Sequence, residues 1–225
     1  MYLAAQALRM TVFASSGDDG AAQPTCDNTS YLKSAGIPAS DPLVTGVGAT
    51  SLTAAQPTGT YESETAWNDA YGSSGGGYST LFKRPAFQNG IAASAYRGVP
   101  DVAYSGDVNN GLLIAWSGGD PTQVGTFYLF GGTSAGSPQW AAITALADQK
   151  DGHPVGYIND ELYSLARGPL YNSVFHDITS GNNTVSLADS NGNAVNITGF
   201  AAVKGWDPVT GLGTPNVAHL LQYLK

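Results

Sequence analysis

The sequence predicts a single α/β domain. Strand and helix signals alternate along the chain, no repeat or long linker divides it, and 225 residues with 42% hydrophobic content are enough for one large core. Glycine is abundant at 29 residues and charged residues make up only 12%, so turns are many and surface ion pairs few. A net charge of −8 excludes the basic face that a nucleic acid or an anionic membrane selects, and no apolar run is long enough to span a bilayer. Cys26, the single cysteine, cannot close an internal disulfide.

Residues 1–9 lack the basic start and long apolar core of a leader and read as a domain helix. They run into a β-branched and aromatic strand at 11–15, followed by Ser16-Gly17-Asp18-Asp19-Gly20. Helix, buried strand and an acid at the strand's C-terminal end make half of a parallel α/β unit, where ligands gather. Asp18 is placed to act there, although a turn aspartate suits the same residues. Residues 21–42 are turn-rich, with a short helix expected around 30–35, and 43–50 predicts a central parallel strand. Acids gather at 62–69 beside Trp67, and 73–79 reads as a flexible glycine loop open to close backbone approach. A brief helix at 85–90, a strand at 99–104 with Pro100 at its edge, and a hairpin pairing 112–116 with 126–130 around a turn at 117–125 follow.

The run 126–130 predicts a buried strand, and 139–148 a helix. Between them lies Gly131-Gly132-Thr133-Ser134-Ala135-Gly136-Ser137-Pro138. Strand, glycine turn, serine and helix set Ser134 beside unpaired N–H groups and the positive end of a helix dipole, where a nucleophile and its oxyanion are stabilised. An isolated Gly-Thr-Ser fits a helix cap equally well. A short amphipathic helix is expected at 158–166 and a closing helix at 215–224. Two loops, 176–183 and 203–215, are rich in carboxylate, carbonyl and glycine. They suit a hard cation, and Asx-stabilised turns account for the same composition.

Four separated segments together resemble the sedolisin family of serine-carboxyl peptidases. They are Ser15-Ser16-Gly17-Asp18-Asp19-Gly20, Arg97-Gly98-Val99-Pro100-Asp101-Val102, Gly132-Thr133-Ser134-Ala135-Gly136-Ser137-Pro138, and Asp177-Ile178 with Gly205-Trp206-Asp207-Pro208-Val209-Thr210-Gly211-Leu212-Gly213. The resemblance spans nearly the whole chain. It implies a subtilisin-like doubly wound α/β fold with a mostly parallel sheet and flanking helices, and acid-active, calcium-dependent hydrolysis of peptide or protein substrates by a secreted enzyme. Ser134 would be the nucleophile and Asp18 the oxyanion partner. One structural Ca2+ would be held by Asp177 and Asp207 with carbonyl oxygens of Ile178, Val203 and Gly205, in a loop region at about 175–213. Val203 stands where family members often carry glycine.

The family activates its serine with a glutamate linked to an aspartate one helical turn away, both upstream of the oxyanion aspartate. Residues 1–17 contain neither acid, and neither Glu62 nor Glu64 is followed by an aspartate four residues later. The sequence therefore reads as an incomplete catalytic domain, 1–225, whose N-terminal part is missing. Little activity is expected alone, and the missing N-terminal segment or the propeptide is an expected partner. A non-catalytic calcium- or peptide-binding remnant is the alternative. A subtilisin-like protease is a second, but it requires a histidine before the serine, and His153, His176 and His219 all follow Ser134.

Overall fold

The structure, a computed structural model, describes residues 1–118, 120, 122 and 125–225. Helix α1 (Tyr2–Ala7) precedes strands β1 (Phe13–Ser15), β2 (Ala22–Pro24), β3 (Tyr31–Lys33), β4 (Thr45–Ala55), β5 (Thr60–Ala66) and β6 (Gly77–Lys83). Strands β7 (Tyr96–Val99), β8 (Val102–Ser105), β9 (Leu112–Ala115) and β10 (Phe127–Phe130) lead to helices α2 (Thr133–Asp151), α3 (Asn159–Arg167) and α4 (Tyr171–Val174). Strands β11 (Phe175–His176), β12 (Val185–Ala188), β13 (Ala194–Ile197) and β14 (Thr214–Pro215) and helix α5 (Val217–Leu220) complete it.

The predicted central strand is β4, whose residues from Thr45 to Thr50 are all buried. β4 pairs in parallel with β1 and β8 and antiparallel with β5. Successive carbonyls of a strand point to opposite edges. Val47 and Ala49 accept from Ser16 and Trp67 on one edge, while Gly46 and Thr50 accept from Asp101 and Gly106 on the other. β1 and β5 thus share one edge of β4, and β8 takes the second. Among the described residues β1 has no other strand partner.

Helix α2 lies across this sheet. Its buried residues Gly136, Trp140, Ile143, Thr144 and Ala147 recur at helical spacing and form one stripe. A Cβ at Gly136 would stand 3.1 Å from Val47 and 3.2 Å from Tyr104, so glycine lets the helix settle close onto β4 and β8. Trp140 is fully buried, stacks on Phe13 at 6.4 Å and donates its indole N–H to the Ala103 carbonyl at 3.0 Å. The core continues through Leu162, Tyr163, Val174, Phe175, Leu220 and Leu224. None of the helices among the described residues is long and apolar enough to cross a membrane.

The Arg97-Gly98-Val99-Pro100-Asp101 run is a buried joint. Arg97 and Asp101 form an ion pair at 2.5 Å with both side chains at 0% exposure. Asp101 also accepts from the Gly46 N–H at 2.8 Å and the Tyr163 hydroxyl at 2.8 Å, and Tyr163 accepts from Gln88 at 2.7 Å. One carboxylate thereby ties β4, β7 and α3 to the start of β8, with both oxygens engaged.

Four local expectations are corrected. Residues around 30–35 are not helical: β3 pairs antiparallel with β2. The glycine segment after Trp67 is no flexible loop, since residues 73–77 are all buried. A Cβ at Gly75 would stand 2.4 Å from the Ser16 carbonyl, and one at Gly76 2.2 Å from the Pro208 carbonyl. Glycine serves close approach here, but of the chain to itself. The run 126–130 forms the expected hairpin, yet it is not buried: Phe127, Leu129 and Phe130 are exposed, as are Leu112, Leu113 and Ile114 opposite. Alternation of aromatic and aliphatic residues marks a strand without saying what covers it. The hairpin turn at 117–125 lies partly outside the described residues. The closing helix is limited to Val217–Leu220, with turns after it.

Candidate active site

Asp18 reaches Thr133, the residue before Ser134, because two elements end at the same place. β1 carries the chain to Ser15, and Gly17, at φ +109°, turns it so that Asp18 faces the start of α2. From the other side, β10 delivers Gly131 and Gly132. The Gly132 N–H bonds the Gly106 carbonyl at 2.6 Å, just past β8.

Helix α2 begins at Thr133, six residues earlier than its apolar pattern indicates, so Ser134 lies in its first turn. The helix is not capped by its own N-cap residue, because Gly132 has no side chain. Asp18 caps it from a distant part of the chain. Its Oδ1 accepts from the Thr133 N–H at 2.7 Å and from the Thr133 hydroxyl at 2.7 Å, and the Thr133 hydroxyl oxygen accepts from the Gly17 N–H at 3.1 Å. Thr133 is 0% exposed. The other carboxyl oxygen, Oδ2, lies over Gly132, where a Cβ would be only 2.5 Å away. Gly132 adopts φ +76°, which a side chain would strain even without this contact.

Three polar groups are left open. Asp18 Oδ2, the Ser134 N–H and the exposed Ser134 hydroxyl have no hydrogen-bond partner among the described residues. Pro138 lacks the N–H that would bond the Ser134 carbonyl four residues back, so the first turn of α2 is less tightly closed than the rest. Beside Asp18 opens a cleft of ≈ 330 Å³ lined by Asp18, Asp19, Asn68, Tyr71, Thr184 and Leu187. Asp18 lines this cleft, and Ser134 follows the residue that Asp18 caps. An exposed hydroxyl, a helix-terminal N–H and a carboxyl oxygen, all unpaired, are the groups that receive a carbonyl carbon and its oxygen.

Glu64, on β5, is committed elsewhere. Glu64 accepts from the Thr50 hydroxyl at 2.7 Å and from the Thr214 hydroxyl, so both oxygens are engaged in bracing β4 against β14. Burial raises its pKa, and the Thr214 and Thr50 hydrogen bonds oppose that.

The structure also brings the calcium-predicted residues into one neighbourhood. Asp177 accepts from the Gly205 N–H through both oxygens, at 3.0 and 3.1 Å, and from the Tyr171 hydroxyl at 3.0 Å. Asp207, 1% exposed, accepts from the N–H groups of Val203 at 3.0 Å and of Val209 and Thr210 at 2.9 Å. Burial pushes its carboxyl up to about 6, against the pull of those N–H donors. Tyr171 is raised by burial first, then by Asp177, with Asp207 contributing, so both carboxylates bear on one phenol. No cationic side chain pairs with either among the described residues, whose ion pairs are Arg97–Asp101 and Lys150–Asp151. No group of three His, Cys, Asp or Glu side chains suited to a metal is found there either. The donors present are all oxygens and a buried carboxylate lacks a countercharge, which fits a hard cation completed by carbonyls.

Sequence reasoning missed Thr133. It was legible as the residue between Gly132 and Ser134, but its contact with Asp18 joins positions 115 apart in the chain.

No protein-family profile matches the chain. Kumamolisin from Bacillus sp. (strain MN-32) is 40% identical over 233 residues, covering 99% of this chain and 38% of the relative. Sedolisin from Pseudomonas sp. (strain 101) is 30% identical over 236 residues, covering 100% and 36%, and tripeptidyl-peptidase 1 from Canis lupus familiaris is 30% identical over 247 residues, covering 99% and 38%. The solved structure of Pseudomonas sedolisin complexed with two molecules of pseudo-iodotyrostatin superimposes with a TM-score of 0.80 at 30% identity, covering 99% of this chain and 57% of that one. The chain thus spans roughly two fifths of the length of these curated relatives.

Proposed function

The chain belongs to the sedolisin family, and from that premise we propose that it carries the nucleophile and oxyanion site of an acid-active serine-carboxyl endopeptidase. One observation supports this above the others: Asp18 is locked through Oδ1 to Thr133 in the first turn of α2, while Oδ2, the N–H of the next residue Ser134 and its exposed hydroxyl stay unpaired. In this reading Ser134 Oγ attacks the scissile carbonyl carbon and loses its proton to a base. The carbonyl oxygen becomes an oxyanion held by the Ser134 N–H and by a protonated Asp18. The amine leaves with a proton, and water then hydrolyses the acyl-serine ester. A carboxyl can donate to the oxyanion only while protonated, which ties the site to acid conditions.

No described residue is in place as the base, so the family's Glu and Asp must come from polypeptide outside residues 1–225, and this chain alone turns over very slowly. A secreted route, and association with a propeptide or with the base-bearing segment, belong to the same reading. So does one structural calcium ion, held by Asp177 and Asp207 with carbonyls of Ile178, Val203 and Gly205. The ion would supply the countercharge for Asp207 and fasten the loop from 203 to 207 onto Asp177.

The test is covalent capture. The chain is incubated at acid pH with a peptide aldehyde carrying 13C at its carbonyl carbon, and the reversible hemiacetal is observed in place by its 13C resonance, since reduction would release the serine. A single adduct on Ser134, absent in Ser134→Ala, is expected. Modification elsewhere, or none at high aldehyde concentration, favours the non-catalytic reading. Robust peptide hydrolysis by the chain alone, abolished by Ser134→Ala, would falsify the absence of a base.

A further inference from the structure

We infer that Thr133 is a positioning residue that fixes the Asp18 proton on Oδ2, the unpartnered oxygen beside Gly132. The inference rests on the reading of Asp18 as oxyanion partner and adds which oxygen carries the proton and what decides it.

The Gly17 N–H can only donate, so the Thr133 hydroxyl oxygen accepts from it at 3.1 Å. That leaves the single hydroxyl hydrogen of Thr133 free, and its one acceptor within reach is Asp18 Oδ1 at 2.7 Å. The Thr133 N–H bonds the same oxygen at 2.7 Å. Oδ1 thus faces two donors, and placing the proton there sets a carboxyl O–H against both. The Thr133 hydroxyl hydrogen would then have no acceptor in a fully buried spot, an arrangement that buried polar groups avoid. With the proton on Oδ2, the Thr133 N–H, the Thr133 hydroxyl, the Gly17 N–H and Oδ1 are all satisfied. Oδ1 is the carbonyl-type acceptor of two bonds, and Oδ2–H is an unspent donor over Gly132. Backbone, hydroxyl and Gly17 N–H together act as a lock that gives the carboxyl a single orientation at low pH.

The consequence is directional. A carboxyl free to exchange its two oxygens would present a donor to the oxyanion only part of the time, and aligning it would cost free energy in the transition state. Thr133 removes that cost beforehand, the kind of preorganisation that makes electrostatic stabilisation effective. It also accounts for a threonine at this position: serine keeps the hydroxyl, whereas valine keeps the shape and loses it.

Infrared spectroscopy reads the proton's location directly, without requiring turnover. Hydrogen bonds to a carbonyl oxygen weaken the C=O bond and lower its stretching frequency. The chain is labelled with 13C at aspartate carboxyl carbons, and the protonated Asp18 band is isolated at acid pH as the difference from Asp18→Asn. That variant keeps the fold, because its amide oxygen takes both Thr133 bonds. The expected band lies at the low wavenumber of a doubly bonded carbonyl, shifts upward in Thr133→Val and stays in place in Thr133→Ser. A wild-type band at the wavenumber of an unbonded carbonyl overturns the inference, even should Thr133→Val not fold. So does an unmoved band in a folded Thr133→Val, with folding checked by its melting curve. Failure of the underlying functional reading looks different: the band behaves as expected, yet the peptide aldehyde never reaches Ser134.

Discussion

Asp18 Oδ1 and Thr133 are joined by two hydrogen bonds of 2.7 Å, one to the backbone N–H and one to the hydroxyl, across 115 positions of sequence. A strand end and a helix start are closed by the same carboxylate, so the cap that stabilises α2 is also the group set beside Ser134. Structure and chemistry share these atoms, and substitutions around them should affect both.

Gly132→Ala tests the fit most directly. It places a Cβ 2.5 Å from Asp18 Oδ2 on a backbone at φ +76°. We expect a loss of about 1–3 kcal/mol in urea denaturation, the usual cost of such strain, together with weaker aldehyde capture at Ser134. An alanine variant with unchanged midpoint and capture would show that Asp18 yields freely.

Asp101→Asn leaves Arg97 charged at 0% exposure without its countercharge. Breaking a buried pair from one side costs about 3–5 kcal/mol. The midpoint of chemical unfolding should therefore fall sharply. Adding Arg97→Met to Asp101→Asn should recover part of the loss, since it leaves no charge buried while the introduced amide oxygen can still accept a buried donor.

Glu64 predicts a pH dependence. Burial raises its pKa in the folded protein, so the folded state holds this proton more tightly than the unfolded chain. Its stabilisation is fully present below the ordinary glutamate value and is lost as pH rises through the raised folded value. His176, lowered by burial, lines the same pocket with Tyr61 and Tyr104 and acts in the opposite sense. The comparison therefore has to be with Glu64→Gln. Across this window the wild type should lose stability relative to the variant, and parallel melting curves against pH would remove Glu64 as the cause.

Calcium should raise the melting temperature, and chelation lower it. At free calcium a hundredfold above Kd the stabilisation is about 2.7 kcal/mol, or roughly 5–10 °C for a domain of this size. Asp207→Asn should abolish most of that response. A chelator without effect on the wild type would leave the two loops as ordinary turns, with Asp207 held by its N–H donors alone.

Much of this could be read along the chain, because the signals were local. The strand at 43–50, the hairpin from 112 to 130 and the helix after Ser134 follow from apolar periodicity and glycine turns, which depend on neighbours a few residues away. The helix at 30–35 failed for the complementary reason. Three residues from 31 to 33 carry little intrinsic preference, and pairing with Ala22–Pro24 decided them. Likewise, the glycines after Trp67 signalled close backbone approach correctly, but only the fold identified Ser16, Gly17 and Pro208 as what they approach.

The sequence by itself determined the family and the α/β class and singled out Ser134 and Asp18 as candidates, because those rest on residue types in a fixed order. The tertiary structure decided what surrounds the two candidates. It put one oxygen of Asp18 on Thr133, left the other open above Gly132, and committed Glu64 to two threonines instead of to the serine. Hydrogen bonds select partners by distance and direction in space. A separation of 115 residues, which local sequence cannot resolve, becomes 2.7 Å once β1 and α2 pack on the same sheet.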